Sequence, residues 1–328
     1  MPAQVSAGAS FRAGLRTAVL GTYRRHYEGL RDRLAMAMDL DFPSDKRSEY
    51  YFYWEAAPHM GRWAYGGDLP FEGFRGVQFE VKNHRWAKAI SWQSDDAADD
   101  QTNDLINQAR NLGASAAGLD ERVFFQIITG GTDAELLPIV PNAPDGVALY
   151  TATGSNTRFG VTDGNLVEGT APTSSANCRA THHSSMGRFG DFNDTKSQPY
   201  HDPAVIEGPL LWIGNTADTA AILGAFARDI VAFADSTSNA GVSDEIKGAG
   251  RSVQWWITQR ATASEAFIFL ANAPVKAIFS QLREPLAEAP ATAANSDRAR
   301  EADEEYIRFK MRKGFGVAVP LATIRIAA

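Results

Sequence analysis

A single apolar stripe between residues 105 and 127 constrains the fold of this chain more than any other feature. Its members are separated by four, three, four, three, four and four residues: Leu105, Ala109, Leu112, Ala116, Leu119, Val123 and Ile127. This spacing predicts one continuous amphipathic helix that ends at Gly130-Gly131. From Asp99 to Thr129 such a helix would extend about 45 Å, which is typical of a strut across an elongated subunit.

The residues before this helix predict an extended arm that runs out and back. The aromatic run Tyr50–Trp54 has strand propensity. Residues 55–76 follow with five glycines, two prolines and several aromatic side chains, which predicts a long flexible loop. Residues 77–81 then alternate apolar and polar side chains, as in a half-buried strand. Trp86–Trp92 is expected to continue this extended segment.

The N-terminal 38 residues carry only two acidic residues but six arginines, which are Arg12, Arg16, Arg24, Arg25, Arg31 and Arg33. Residues 11–38 have apolar residues near helical spacing, and Asp41–Ser44 is expected to stop the helix. A helix of this kind docks on its own core or on a neighbour. Three interpretations stay open: a transit peptide, a basic arm near a polyanion, and an ordinary solvated helix face.

The remainder of the chain predicts an α+β protein. Residues 140–210 are rich in small polar residues and predict loops and short strands. Residues 286–305 predict a surface helix or loop. A helix is expected at Thr216–Phe233, and strands are expected at Leu210–Gly214, Val253–Ile257, Phe267–Leu270 and Tyr306–Arg312. A closing apolar strand is expected after Gly314-Phe315-Gly316 and ends at Ile326.

Composition excludes several classes of protein. The net charge of −7 over 328 residues argues against a general nucleic-acid binder. One cysteine, Cys178, excludes an internal disulfide framework and favours synthesis in a reducing compartment. The sequence has no apolar run long enough to predict a membrane span.

The candidate chemical motifs are weak. Cys178, His182 and His183 offer three zinc ligands at an unfamiliar spacing, so a polar surface loop is the preferred interpretation. Asp191–Asp194 lacks the glycine and the distal glutamate of a calcium loop, which favours a turn. Gly248–Ser252 has no Walker lysine. We therefore predict no catalytic residue, no cofactor and no metal site.

Two further motifs have structural interpretations. The small residues Gly113–Gly118 lie inside the helical stripe and predict close packing rather than a nucleophile elbow. The acid pairs Asp95-Asp96 and Asp99-Asp100 can hold a divalent ion, cap the long helix, or form inter-subunit salt bridges with the arginines. The last two interpretations are preferred.

Five segments in order carry a family resemblance. They are Trp54 with Pro58, Met60 and Trp63; Lys82-Asn83-His84 through Ile90 to Asp95-Asp96; Asp120–Phe124 followed by Asp145-Gly146; Pro274–Arg283; and Gly314-Phe315-Gly316. Together they resemble the major head subunit, or major capsid protein, of Mu-like phages and prophages. The sequence departs from that pattern at Gly61-Arg62 and over residues 150–250.

The resemblance implies the Hong Kong 97-like capsid fold. Its parts are expected as an N-terminal arm at 1–49, an extended loop at 50–80, a peripheral domain with a spine helix at 81–135, an axial domain at 136–305 with a variable surface region around 150–250, and closing strands at 306–328. The spine stripe would include Leu105, Leu112, Leu119 and Val123.

The resemblance also implies a function. Copies would assemble as hexamers and pentamers into an icosahedral head around the double-stranded DNA of a tailed phage, inside the host bacterial cytoplasm. The extended loop would contact a neighbouring subunit through Trp54, Met60, Arg62, Trp63, Tyr65, Phe71 and Phe74. The arm would reach another neighbour, and its arginines would contact DNA by non-specific electrostatics.

Further partners follow from the same resemblance. A separate scaffolding protein is expected, because about 50 residues before the loop are too few for a fused scaffold. A portal protein and a decoration or cement protein are further expected partners. Residues 55–76 contain no lysine, so no crosslink through this loop is expected. The alternatives are an encapsulin-like compartment, a tail or decoration protein, and a hydrolase that uses residues 178–201.

Overall fold

Two β-sheets and the helices packed on them account for the architecture of the chain. The computed structural model describes residues 7–54, 76–93, 104–131, 133–152, 164–168, 171–193, 199–226, 253–291 and 304–327. The α-helices are α1 (Ala7–Ala37), α2 (Asp104–Ala117), α3 (Leu119–Thr129), α4 (Ser175–Asp191), α5 (Pro203–Ile206) and α6 (Thr219–Phe226). Short 3-10 helices span Leu137–Ile139, Thr216–Asp218 and Pro320–Ala322.

The strands fall into two sheets and one separate pair. They are β1 (Met38–Pro43), β2 (Ser48–Trp54), β3 (Gly76–Lys82), β4 (His84–Gln93), β5 (Leu166–Glu168), β6 (Leu210–Asn215), β7 (Val253–Thr258), β8 (Ala266–Leu270), β9 (Ile278–Ala291), β10 (Glu304–Val317) and β11 (Thr323–Ala327). Their order is β1-β9-β10-β4 in one sheet and β5-β11-β8-β6-β7 in the other, while β2 pairs with β3. The α+β class predicted from the sequence is confirmed.

The four-stranded sheet is built around the long strands β9 and β10. Both contain 14 residues and run antiparallel to each other. Strand β4 lies antiparallel to β10, from Gln93 opposite Glu304 to His84 opposite Lys313. In β10, Ile307, Phe309 and Met311 are buried, as their alternation predicted.

Helices α1 and α2 cover one face of this sheet. Leu15 and Val19 of α1 pack with Ile90 of β4 and Ile307 of β10 in one apolar cluster. The two helices approach closely at Gly113, where an added Cβ would lie 2.4 Å from the Val19 carbonyl oxygen. The close packing predicted for the small residues of the stripe is therefore confirmed at Gly113.

The predicted long helix forms as two segments that join at Gly118. Hydrogen bonds continue through the junction, since Gly118 N–H donates to the Ala114 carbonyl and Arg122 N–H donates to the Gly118 carbonyl. The helix ends as predicted, with Gly130 in the left-handed conformation at φ +65°. In the stripe, Leu119 and Val123 are buried, and Leu105 and Leu112 are half-buried.

The second sheet holds the larger core. Every residue of its central strand β8 is buried, and Phe124 of α3 packs against Trp256 of β7 and Phe269 of β8. The predicted strands at Leu210–Gly214, Val253–Ile257 and Phe267–Leu270 are all present within a residue or two. None of the described helices is long and apolar enough to cross a membrane.

The structure corrects the expectation of loops and short strands over residues 140–210. Residues 175–191 form the helix α4, which begins at the N-cap Ser174, and a short helix α5 follows. Cys178, His182 and Phe189 are buried along α4. Their side chains share a helical face, but the buried residues of α4 also include the polar Thr181, His182 and Ser185, so the helical period was missed.

Three segments belong to the four-stranded sheet rather than to the elements predicted for them. Residues 286–291 continue β9 instead of forming a surface helix or loop, because they pair with β10. Trp86–Trp92 lies in β4 and pairs with β10, not with the arm. The first helix ends at Ala37, before Asp41–Ser44, because Met38–Pro43 pairs with β9 as β1.

Candidate assembly surface

Strands β2 and β3 form the root of the predicted out-and-back arm. They pair antiparallel from Ser48 opposite Lys82 to Trp54 opposite Gly76, which confirms the two strands expected at residues 50–54 and 77–81. Residues 55–75 connect them. The predicted contact residue Trp54 is the last residue of β2, whereas Met60, Arg62, Trp63, Tyr65, Phe71 and Phe74 lie outside the described residues.

Two glycines of β10 let this hairpin root lie directly on the four-stranded sheet. A Cβ on Gly314 would lie 2.6 Å from the Lys82 carbonyl oxygen. A Cβ on Gly316 would lie 2.5 Å from the Phe279 ring and 2.9 Å from Val81. The Gly-Phe-Gly motif therefore allows the backbone of β10 to lie close to the root of the arm.

Hydrogen bonds and aromatic packing fix the root in place. The Tyr51 hydroxyl donates to Gln281 Oε1 at 2.8 Å, and Gln281 Nε2 donates to the Val81 carbonyl at 3.1 Å. Gln281 is fully buried. The Tyr51 ring meets Phe279 edge-on at a centroid distance of 4.8 Å. Side-chain contacts from both β2 and β3 thus hold the hairpin root on the four-stranded sheet.

An apolar groove of about 300 Å³ runs along the outer side of the root. Its walls include Phe42 of β1 and Phe52 of β2, which are 43% and 60% exposed, and Val275. Tyr50, on the same outward side of β2 as Phe52, is also 60% exposed. Neighbouring exposed aromatic side chains of this kind are typical of surfaces that bind a partner. Sequence reasoning missed Phe42 and Val275, which lie far apart in the chain.

Most arginines of helix α1 are exposed. Arg16, Arg24, Arg25, Arg31 and Arg33 are exposed, and Arg12 is half-buried. Arg16 pairs with Glu288 at 3.1 Å. The apolar side of α1 packs on α2 and on β4 of its own chain. Of the two docking modes left open for this helix, the described residues therefore show docking on its own core.

A buried ionic cluster joins α1, β1, α3 and β10. Lys313 Nζ lies 2.7 Å from Asp41 Oδ1 and 2.6 Å from Asp120 Oδ2. The Tyr27 hydroxyl donates to Asp41 Oδ2, and the Tyr27 ring lies under the Lys313 ammonium. Burial would lower the pKa of Lys313, but the two carboxylates outweigh it and raise that pKa. Burial raises the pKa of Asp120, although Lys313 opposes the shift.

The structure corrects the surface loop expected at Cys178, His182 and His183. Cys178 and His182 are buried inside helix α4. The Cys178 Sγ donates to the Pro172 carbonyl at 3.4 Å, and burial raises the pKa of this thiol to about 11. A protonated, buried thiol is a poor nucleophile and a poor metal ligand. Across the described residues no group of three or more His, Cys, Asp or Glu side chains converges as metal ligands.

Comparison with known proteins identifies the architecture. Residues 14–136 match the family model of the Mu-like prophage major head subunit gpT. The fold is similar to the capsid of a native GTA particle (TM-score 0.56, 12% identity, covering 92% of this chain and 89% of that one). It is also similar to the capsid of cyanophage P-SCSP1u (0.55, 11%, 89% and 86%) and to a virus-like particle from Pyrococcus furiosus (0.52, 13%, 96% and 98%). No curated protein sequence matches the chain.

The chain has the Hong Kong 97-like capsid fold. The resemblance to Mu-like major head subunits is confirmed over the matched residues, which contain the first two sequence segments and the end of the long helix. The segments at Pro274–Arg283 and Gly314-Phe315-Gly316 lie outside the matched range. In the structure they contribute to β9 and β10.

Within this capsid fold, the four-stranded sheet that packs on α2 contains strands from distant parts of the chain. Strand β4 lies in the range 81–135 expected for the peripheral domain, but β9 and β10 come from residues 278–317. Only β11 of the expected closing segment 306–328 returns to the five-stranded sheet. The two sheets are therefore interleaved in sequence, since β9 and β10 of the four-stranded sheet lie between β8 and β11 of the five-stranded sheet.

Proposed function

We propose that this chain is the major capsid protein of a tailed double-stranded DNA phage. The observation that carries the proposal is the match of residues 14–136 to the Mu-like major head subunit family within a chain that has the capsid fold. Copies assemble through themselves into hexamers, pentamers and a closed icosahedral head. The protein is structural rather than enzymatic, and it is a component of the virion.

The extended loop is the proposed contact with the neighbouring subunit. Its root is held on the sheet by Gly314, Gly316 and the Tyr51–Gln281 hydrogen bond. A rigid root limits the conformational entropy lost when the loop engages a partner. The aromatic residues of the loop, from Trp54 to Phe74, supply the kind of side chains that dominate protein interfaces.

The exposed arginines of α1 are the proposed contact with the genome. They are exposed cations on a chain whose net charge is −7. Phosphate neutralisation by arginine is independent of base sequence and weakens with salt. Such binding suits a shell that packages one long DNA of arbitrary sequence.

Assembly takes place in the host bacterial cytoplasm and uses further proteins. A separately encoded scaffolding protein directs curvature, a portal protein occupies one vertex, and a decoration protein is a candidate on the outer surface. In the described residues, both apolar cores are built from side chains of one chain.

Electron microscopy tests the proposal. The chain is expressed alone and with a candidate scaffolding protein, and purified material is imaged in negative stain. Closed, icosahedral particles are expected. A chain that stays monomeric under both conditions would overturn the assignment.

An encapsulin-like compartment is a second candidate of the same fold. The similarity to the virus-like particle from Pyrococcus furiosus spans nearly all of both chains, which favours keeping this candidate. The contents of particles from the native source discriminate between the two. A genome-length DNA supports the phage head, whereas an enclosed protein without DNA supports the compartment.

A further inference from the structure

The four-stranded sheet has a basic face opposite its helix layer. In β10, Arg308, Lys310 and Arg312 alternate with the buried residues that face α1 and α2. Arg312 pairs across the strands with Arg85 of β4, which places four cations on one face of the sheet. We call Arg85, Arg308, Lys310 and Arg312 the basic sheet face.

The basic sheet face is open and only partly neutralised. Glu284 of β9 is the acidic partner of two of these cations, at 2.9 Å from Arg312 and 3.6 Å from Lys310. Within the described part of the chain, Arg85 and Arg308 have no ion-pair partner. Small exposed alanines, including Ala87 and Ala89, lie between the cations. The surface is therefore accessible and positively charged, as a docking site for an acidic segment would be.

The same chain carries a segment of complementary charge. Residues 94–103 connect β4 to α2 and contain four aspartates and no lysine or arginine. Both ends of this segment are fixed at the far end of the sheet. Gln93 pairs with Glu304, and Leu105, the second residue of α2, packs in the same cluster as Trp92.

The aspartates nearest to β4, Asp95 and Asp96, do not reach Arg85 of their own chain. Arg85 lies eight residues along β4 from Gln93, which is about 26 Å at roughly 3.3 Å per residue. Asp96 lies three residues from Gln93 on the other side, or about 10 Å at most. Among the described residues Arg85 therefore has no acidic partner, and its position leaves it open to an acidic segment of a second copy.

We propose that the acidic segment 94–103 of one copy docks on the basic sheet face of a second copy. This inference rests on the proposed function and specifies one of its subunit contacts. Each copy carries one segment and one face, so the contact is head-to-tail and propagates around a ring. It assigns the acid pairs, for which helix capping was the rival interpretation, to an inter-subunit role.

Charge reversal on either side tests the contact. Arg85→Glu with Arg308→Glu reverses the face, and Asp95→Lys with Asp96→Lys reverses the segment. Each double variant is expected to lower the yield of oligomers and particles about tenfold, as measured by size-exclusion chromatography and negative-stain microscopy. A chain with all four changes is expected to recover. Lys88→Glu is the matched control, since Lys88 is exposed on β4 but shares its side with Phe309, and it is expected to assemble as the unaltered chain does.

A mixture of the two double variants separates contacts between copies from contacts within one chain. In a hexamer of alternating copies every junction joins opposite charges, whereas a ring of five cannot alternate. The mixture is therefore expected to form hexamers, measured by size-exclusion chromatography, where neither variant does alone. Recovery of the fourfold variant without recovery of the mixture would overturn the inference. Normal assembly of either double variant would also overturn it, and would leave the face to DNA or to another acidic partner. If the unaltered chain itself forms no particles, the proposed function fails, and this inference fails with it.

Discussion

Lys313 Nζ lies 2.6 Å from Asp120 Oδ2, and both side chains are only 2% exposed. The two residues are 193 positions apart, and their contact joins the first turn of α3 to β10. Asp41 of β1 completes the cluster at 2.7 Å from the same ammonium. One buried lysine of β10 therefore holds α3 and β1 together with its own strand.

Replacement of this lysine is expected to destabilise the subunit strongly. Lys313→Met leaves Asp120 and Asp41 without their counter-ion, and removal of one partner of a buried pair costs about 3–5 kcal/mol. Urea denaturation of the unassembled chain measures the loss. Lys310→Met is the control on the same strand, because Lys310 is exposed and its pair with Glu284 at 3.6 Å contributes less than about 1 kcal/mol. Equal stability of the two variants would contradict a structural role for the cluster.

Two helical glycines are expected to respond to alanine in opposite directions. At Gly113 an added Cβ meets the Val19 carbonyl oxygen at 2.4 Å, whereas at Gly21 nothing lies within 4 Å. Gly113→Ala is expected to force α1 away from α2 and to cost about 1–3 kcal/mol. Gly21→Ala is expected to stabilise the chain by about 0.5–1 kcal/mol through helix propensity. Thermal unfolding of both variants checks the pair, and a stabilising Gly113→Ala would refute the close approach.

The predictable parts of this fold are those in which burial and residue type agree. The stripe from Leu105 to Ile127 and the alternation of Ile307, Phe309 and Met311 place apolar side chains at a regular period. The helix and the strand could therefore be predicted from the sequence. Helix α4 was missed because Cys178, His182 and Ser185 occupy buried positions without being strongly apolar. The end of β9 was missed because alanine, glutamate and proline have low strand propensity, and pairing with β10 overrides it.

The site was predictable in outline but not in its anchoring. The aromatic run Tyr50–Trp54 indicated an arm, and the alternation in β2 places Tyr51 and Tyr53 inward and Tyr50 and Phe52 outward. The supporting groups lie elsewhere in the sequence. Tyr51 bonds to Gln281, 230 residues away, and no local pattern predicts a pairing over that distance.

The outward aromatics of β2 are expected to act in assembly and not in folding. Tyr50→Ser combined with Phe52→Ser removes two side chains that are each 60% exposed. Exposed side chains contribute little to folding, so monomer stability is expected to change by less than about 1 kcal/mol. Loss of apolar interface contacts is expected to reduce particle yield about tenfold or more.

Microscopy and sedimentation of the double variant measure the yield, and urea denaturation measures stability. Leu137→Ser is the matched control, because Leu137 is also a large exposed apolar side chain but lies away from the groove. A double variant that assembles as well as this control would show that the groove is not an assembly surface.

Protonation of His201 is expected to lower the stability of the subunit below neutral pH. Burial lowers the pKa of His201 from its ordinary value of 6.5, and a hydrogen bond from Nε2 to the Leu321 carbonyl opposes this only in part. The folded chain therefore keeps the ring neutral at a pH where the unfolded chain binds a proton. The contribution to stability is complete above pH 6.5 and is lost as pH falls toward the folded pKa.

Urea denaturation between pH 7.5 and 5 checks this dependence. One group changes the free energy of unfolding by at most about 1.4 kcal/mol per pH unit, so the expected loss down to pH 5 is no more than about 2 kcal/mol. His201→Gln retains a donor for the Leu321 carbonyl and cannot titrate, so its stability is expected to fall less steeply. His84, whose pKa is also lowered by burial, titrates in both chains and cancels in the comparison. Parallel pH profiles for the two chains would contradict a neutral, buried His201.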